Sequence, residues 1–235
     1  MADRAAHHAR ATGRPYLERP GLTVTRLGPR GWYVNLAVVL QEPADWDDVL
    51  ADVGRVIPPG VPATVLSPFG WPRRPGGEWT KIGEPPLMVR AVASTPPPSV
   101  PAELQIREVV DRATLETFEH TLVDAYPMPD LQPYEWGGFY DERVLGGASR
   151  LWLGTVDGRP VATAAAHVAA GVNDVEMVST AAGARGHGYG GALTWTATTA
   201  DPSLPAVLIA SDLGRPVYEQ LGYEVVTRWQ LWLRP

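Results

Sequence analysis

Apolar and polar positions recur along this chain with two periods, and the switches between them mark out its elements. The run WYVNLAVVL (32–40) is apolar almost throughout and of strand length. ADWDDVLADVGRVI (44–57) follows with helical spacing behind Asp45, a residue type that caps helices by accepting a first-turn N–H. PATVLSP (62–68) and EPPLMVRA (84–91) read as further strands. LQIREV (104–109) predicts another, and in DRATLETFEHTLVDAY (111–126) Leu115, Phe118, Leu122 and Ala125 fall at helical spacing. A polar, aromatic-rich loop (127–147) leads to RLWLGTVDGRPVATAAAHVA (150–169), two strands joined at Asp157-Gly158, a pair that tolerates the positive φ of a tight hairpin. DVEMVST (174–180) is a strand, GALTWTATTA (191–200) a helix, AVLIAS (206–211) a buried strand, GRPVYEQLGY (214–223) a short helix, and EVVTRWQLWLRP (224–235) a last strand. The order predicts an α/β protein, a mixed sheet with helices on its faces.

STPPPSVP (94–101) breaks this pattern, because four prolines in eight residues can join neither a helix nor a sheet ladder. It reads as a linker between a smaller N-terminal α/β region (16–93) and a region of one compact domain's size (102–235). Composition is that of a globular protein, 45% hydrophobic and 20% charged. The net charge of −6, with no concentration of lysine and arginine, argues against nucleic acid as a partner. No window approaches the ~20 apolar residues of a membrane span. The charged start MADRAAHHARATGRP lacks the apolar core of a secretion signal and reads as a frayed terminus, so a cytoplasmic protein is expected. The absence of cysteine removes disulfides and thiolate chemistry, and the histidines His7, His8, His120, His167 and His187 are too scattered to suggest a metal site.

ARGHGYGGAL (184–193) places four glycines and an arginine just before a helix. Glycines remove side chains where backbone must approach something closely. A P-loop would need a lysine and a hydroxyl residue where this chain has Gly191 and Ala192. Gly186, Gly188 and Gly191 do satisfy the dinucleotide pattern G-x-G-x-x-G, with Asp212 about 20 residues on. Against that reading, AAGAR separates the strand from its first glycine, and few residues follow Asp212 for more parallel strands. Arg185-Gly186-His187-Gly188-Tyr189-Gly190 matches R-x-x-G-x-G and, with VYEQLGY (217–223) and the element order over 104–235, resembles the GNAT family of N-acetyltransferases. That resemblance implies acetyl-coenzyme A as acyl donor, no metal, and an amine acceptor, a small molecule or a peptide, in a monomer or homodimer. A non-catalytic acyl-CoA sensor would use the same fold. The physics agrees: successive bare N–H groups at a helix start form an anion site for a pyrophosphate, and Arg185 adds fixed positive charge to an acidic chain.

The resemblance also assigns roles. Arg185, Gly186, His187, Gly188, Tyr189, Gly190 and Gly191 would form the pyrophosphate loop, His187 as an exposed member without a catalytic part. Main-chain groups of Val178, Ser179 and Thr180 would meet the pantetheine arm and the developing oxyanion. Ser211 would reach the coenzyme's tail or simply cap the next helix. Tyr218 would be the acid for the departing thiolate, since a phenol stays protonated at neutral pH. Strand alternation puts Asp174, Glu176, Val178 and Thr180 on one face, with Glu176 the candidate base. Tyr126, Tyr134, Trp136, Phe139 and Tyr140 occupy the segment that would wall the acceptor site. Finally, PATVLSPFG (62–70) and PPLMVRA (85–91) echo PAVLIASDLG (205–214) and WQLWLRP (229–235). The first half contains no R-x-x-G-x-G loop, so it reads as a reduced GNAT-like unit without a coenzyme site.

Overall fold

The computed structural model describes residues 1–28, 30–71, 78–92, 97–126 and 128–235. In chain order the helices and strands are α1 (Ala2–Thr12), β1 (Tyr16–Arg19), β2 (Leu22–Arg26), β3 (Asn35–Val39), α2 (Trp46–Val56), β4 (Ala63–Ser67), β5 (Thr80–Gly83), β6 (Pro86–Arg90), β7 (Gln105–Glu108), α3 (Arg112–Ala125), β8 (Ser149–Val156), β9 (Arg159–Ala169), β10 (Val172–Thr180), α4 (Tyr189–Thr198), β11 (Ala206–Ile209), α5 (Arg215–Gln220), β12 (Glu224–Arg228) and β13 (Gln230–Arg234). Two compact units result: Met1–Pro85 with Thr227–Pro235, and Pro86–Val226. The division differs from the boundaries 16–93, 94–101 and 102–235 read from the sequence. Strand β6 belongs to the second unit and the final strand to the first. Residues 94–96 of the expected linker lie outside the described residues, and 97–101 carry no regular structure.

In the first unit the N-terminus is not frayed. Ala5, Ala6 and Ala9 of α1 are buried, since small side chains let the helix lie close on β2, and Gly13 closes it in the left-handed conformation (φ 66°). The sheet order is β1-β2-β3-β4-β13-β5. β1, β2 and β3 are antiparallel, β4 runs parallel to β3 after α2 crosses over, and β13 lies antiparallel on β4. Asp45 accepts the Asp47 N–H at 2.9 Å, so the predicted helix cap is present.

The second unit has the order β12-β6-β11-β10-β9-β8-β7. β8, β9 and β10 are antiparallel, β11 is parallel to β10 after α4, and β6 lies antiparallel on β11. Apart from the added β7, this is the first unit's arrangement again. The two sequence echoes fall on matching places, β4 with β11 and β6 with β13. Their terminal arginines even act alike: Arg90 donates to the Leu221 carbonyl at 2.9 Å and Arg234 to the Ile57 carbonyl at 2.8 Å, each at the residue that caps a helix C-terminus. EVVTRWQLWLRP is therefore two strands, which part at Trp229 to enter different sheets. Alternation along β9 sorts its long run of small residues. Ala162, Ala164 and Ala166 join Leu193 and Ala197 of α4 in the core, while Thr163, Ala165 and His167 take the opposite face, where α3 packs.

Candidate active site

The geometry of the site starts from one extra residue in β10. Glu176 stands opposite Ala165, but the next registered pair is Ser179 with Thr163, so three steps on β10 oppose two on β9. Met177 takes up the difference at φ 52°, a left-handed conformation that costs a residue with a side chain about 1–3 kcal/mol. A bulge reverses the alternation beyond it. The sequence expectation that Asp174, Glu176, Val178 and Thr180 share a face is thus corrected: Asp174, Glu176 and Ser179 share the α3 face, whereas Val178 and Thr180 turn toward α4. The contacts agree. Thr163 Oγ1 donates to the Met177 carbonyl at 2.8 Å and lies 2.7 Å from Ser179 Oγ, while Val178 packs in the α4 core.

Just before the bulge, β10 also leaves its parallel neighbour. β10 and β11 pair only at Asn173–Ala206 and Asp174–Val207, so the backbone from Val175 to Thr180 parts from Leu208 and Ile209. Next to this opening lies the glycine loop. Gly186 and Gly188 have φ of 83° and 82°, and Gly188 is the N-cap of α4. No side chain caps that helix and its first turn carries no acid, so its N–H groups face outward with the positive end of the dipole. Gly190 sits against the strand end: a Cβ there would lie 2.9 Å from Thr180 Oγ1. Gly191 has room, its nearest neighbour being Val217 at 3.9 Å.

Arg185 is exposed, with Nε donating to the Thr180 carbonyl at 3.1 Å and Nη2 to the Ala125 carbonyl at 3.2 Å, so its charge is held at the mouth of the opening. His187 is exposed as expected, its Nδ1 3.0 Å from the Arg185 carbonyl and its ring stacked on Tyr189. Tyr189 can offer an anion only its backbone, because its ring is buried and its hydroxyl donates to Glu103 at 2.8 Å. Glu103 thus braces the loop, a part the sequence gave no sign of.

Tyr218 and Tyr223 differ in kind. Tyr223 is fully buried, its hydroxyl 2.6 Å from Thr198 Oγ1. Tyr218, on α5, is partly buried edge-on to Tyr223, and burial first, then the neighbouring Tyr126, pushes its phenol well above the ordinary range. It stays protonated at neutral pH. Ser211 is exposed and its Oγ accepts the Gly214 N–H at 3.0 Å, closing the turn that starts α5. Glu176 is partly buried on the α3 face, one row from a buried polar line: Ser149 Oγ is 2.9 Å from His167 Nδ1, and Asp174 stands opposite His167 in the register.

The loop after α3 is anchored from within. Phe139 and Tyr140 are buried, and their backbone N–H groups donate at 3.1 Å to the two carboxylate oxygens of Glu119, itself 1% exposed. Burial raises the Glu119 carboxyl from 4.5 to about 6, outweighing those donors. A carboxyl that binds its proton more tightly folded than unfolded stabilises below the unfolded value, and loses that contribution as pH rises through about 6. The shift corresponds to about 2 kcal/mol. Denaturant midpoints of the wild type should therefore fall, relative to Glu119→Gln, as pH is raised from 4.5 to 7; a constant difference would refute the assignment.

Among the described residues no group of three or more histidine or acidic side chains is arranged to hold a metal, and no helix is long and apolar enough to cross a membrane. From β7 to β6 the second unit's sheet has one parallel pair among the described residues, not the succession of parallel strands that a doubly wound dinucleotide fold needs. No family model matches the chain, and no curated protein matches it in sequence. Solved structures do match. A GCN5-related N-acetyltransferase from Kribbella flavida is 22% identical with a TM-score of 0.67, covering 100% of this chain and 95% of its own. An acetyltransferase structure assigned to the GNAT family from Novosphingobium aromaticivorans is 16% identical, TM-score 0.61, over 97% of this chain and 95% of its own. A tandem GNAT protein from the clavulanic acid biosynthesis pathway is 15% identical, TM-score 0.56, over 90% of this chain and 77% of its own. At these identities the likeness is one of architecture, and the architecture of this chain is that of the GCN5-related N-acetyltransferases.

Proposed function

We propose that the second unit transfers an acetyl group from acetyl-coenzyme A to an amine acceptor, a small molecule or a peptide. The observation that carries this reading is the uncapped, acid-free N-terminus of α4 behind two positive-φ glycines, set beside a bulged strand that parts from its parallel neighbour. Such a helix start fits a pyrophosphate. In this reading the N–H groups of Gly186 to Gly191 receive the pyrophosphate, and Arg185 adds charge. Val178, Ser179 and Thr180 offer backbone groups along the parted strand to the pantetheine arm, and Ser211 lies by its tail. Glu176 takes the proton of the attacking amine, directly or through a water, as the C–N bond forms at the thioester carbonyl. Tyr218 gives its proton to the sulfur as the C–S bond breaks. The neutral phenol described above is the form this step requires.

The first unit repeats the topology without these features. β3 and β4 stay paired from Leu36–Thr64 to Val38–Leu66, and α2 is capped by Asp45 with Asp47 and Asp48 in its first turn, charges that repel a phosphate. Calorimetry with acetyl-coenzyme A should give one site per chain, and a panel of amines should include one that releases free thiol. Binding without thiol release from any amine would point instead to a sensor. Tyr218→Phe should lower kcat at least about tenfold while leaving coenzyme affinity within about twofold, as expected for a group acting in the transition state. Equal loss of both would return Tyr218 to the core.

A further inference from the structure

We propose that Glu119 is a positioning residue for the amine acceptor: its buried carboxylate fixes the backbone at Phe139 and Tyr140, and so holds residues 132–140 as one wall of the acceptor site. The proposal rests on the acetyltransferase reading above.

Arg112, Glu116, Glu119, His120 and Asp124 recur at three- and four-residue spacing and form one stripe of α3. The segment 132–140 is strapped along that stripe. Gln132 Nε2 donates to Asp124 Oδ1 at 3.2 Å, and the Tyr134 ring stacks on His120 at 4.5 Å while its hydroxyl donates to the Glu116 carbonyl at 3.3 Å. Arg112 lies over Trp136 at 5.7 Å. These contacts are at the surface, where water competes for each of them.

Glu119 is different in kind. It is buried, and Oε1 accepts the Phe139 N–H and Oε2 the Tyr140 N–H, with the backbone N–H groups of Gly137 and Gly138 also turned to the carboxylate. A carboxylate accepts at both oxygens, whereas an amide would set its own N–H₂ against one of the two donors. The Tyr140 ring packs edge-on against Phe118 at 5.6 Å. An apolar residue would suit the core at this point better than an ionised one, so what the carboxylate supplies is a fixed orientation of two peptide groups.

The other end of the loop is tied to the glycine motif. Arg185 donates both to Thr180, at the end of β10, and to Ala125, where the loop begins. One anchor sets the wall against the coenzyme loop, and the other sets its far end. Substrate-positioning groups of this kind act on acceptor binding far from the bond being made.

The test uses the full chain. Glu119→Gln should raise the acceptor KM at least about tenfold, with kcat less affected and acetyl-coenzyme A affinity within about twofold of wild type. Hydrogen exchange at the Phe139 and Tyr140 amides should quicken at least about tenfold. Glu119→Asp, which keeps the charge but draws the carboxylate back by one methylene, should give the same separation and serves if Glu119→Gln folds poorly. Unchanged KM, or equal loss of coenzyme and acceptor affinity in both variants, would overturn the positioning role while leaving acetyl transfer intact. A wild-type chain that acetylates no amine would overturn the functional reading itself and the acceptor role with it, even if the amides still exchange faster in the variant.

Discussion

Expressed alone, residues 102–235 should be insoluble or unfolded, whereas 86–228 should give a folded, monodisperse domain. The shorter fragment looks like the natural cut, since it starts after the prolines and runs to the end. It nevertheless removes β6, which pairs along its length with β11 and contributes the fully buried Met88 to the core. It also loses the Arg90 bond to the Leu221 carbonyl and keeps β13, whose partners β4 and β5 are then absent. An unpaired inner strand edge beside an orphaned apolar strand is a recipe for aggregation. Domain stabilities of about 5–15 kcal/mol leave little margin for losing an inner strand of the sheet. Circular dichroism and a thermal melt of the two fragments decide the matter; a cooperative melt from 102–235 equal to that of 86–228 would show that β6 is dispensable.

Gly190→Val should weaken acetyl-coenzyme A binding about 100-fold or more, near 3 kcal/mol, with the fold retained. Residue 190 lies within α4 and has no positive φ, so valine carries none of the backbone strain it would meet at Gly188. Its Cβ would approach Thr180 Oγ1 to 2.9 Å, forcing that side chain to turn and placing two methyl groups where the first-turn N–H groups face the opening. The loss is steric at the place where an anion must touch backbone. Calorimetry measures it directly, and Gly191→Ala, whose new methyl group meets only an ordinary contact with Val217 at 3.9 Å, is the matched control. Affinity within threefold of wild type in Gly190→Val would remove the pyrophosphate from this loop.

What could be read from the sequence was what local chemistry dictates. Asp157-Gly158 made its hairpin because both residues sit at positive φ, 49° and 75°, and the helical face of Leu115, Phe118, Leu122 and Ala125 is the buried face of α3. The glycine loop announced itself because few other reasons exist for so many glycines before a helix. Other parts left no local sign. Met177 takes a left-handed conformation although methionine has no preference for it, so the bulge, and with it the facing of Val178 and Thr180, could not be read from alternation. Glu119 carries no local sign of its role, because its partners are backbone groups some twenty residues away. Strands β12 and β13 ran together as one because TRWQ contains no turn residue to separate them. The hairpin of β1 and β2 did carry a readable sign, Pro20-Gly21, and α1 was hidden because its inward face is alanine.

The crossed ownership of β6 and β13 also sets the timetable by which this protein can be made. On the ribosome β6 appears before every strand it will pair with, and it must stay unpaired while α3, β8, β9, β10 and α4 are synthesised. The first unit waits longer still, because β13, which joins β4 to β5, follows every strand of the second unit. Neither half can therefore finish as it emerges, although domains usually fold as units in order of synthesis. Pairings this distant in sequence also close slowly. The nascent chain consequently carries open sheet edges until β11 and then β13 have been made, and its yield in a cell should depend more on chaperone capacity than the modest size of either unit would suggest.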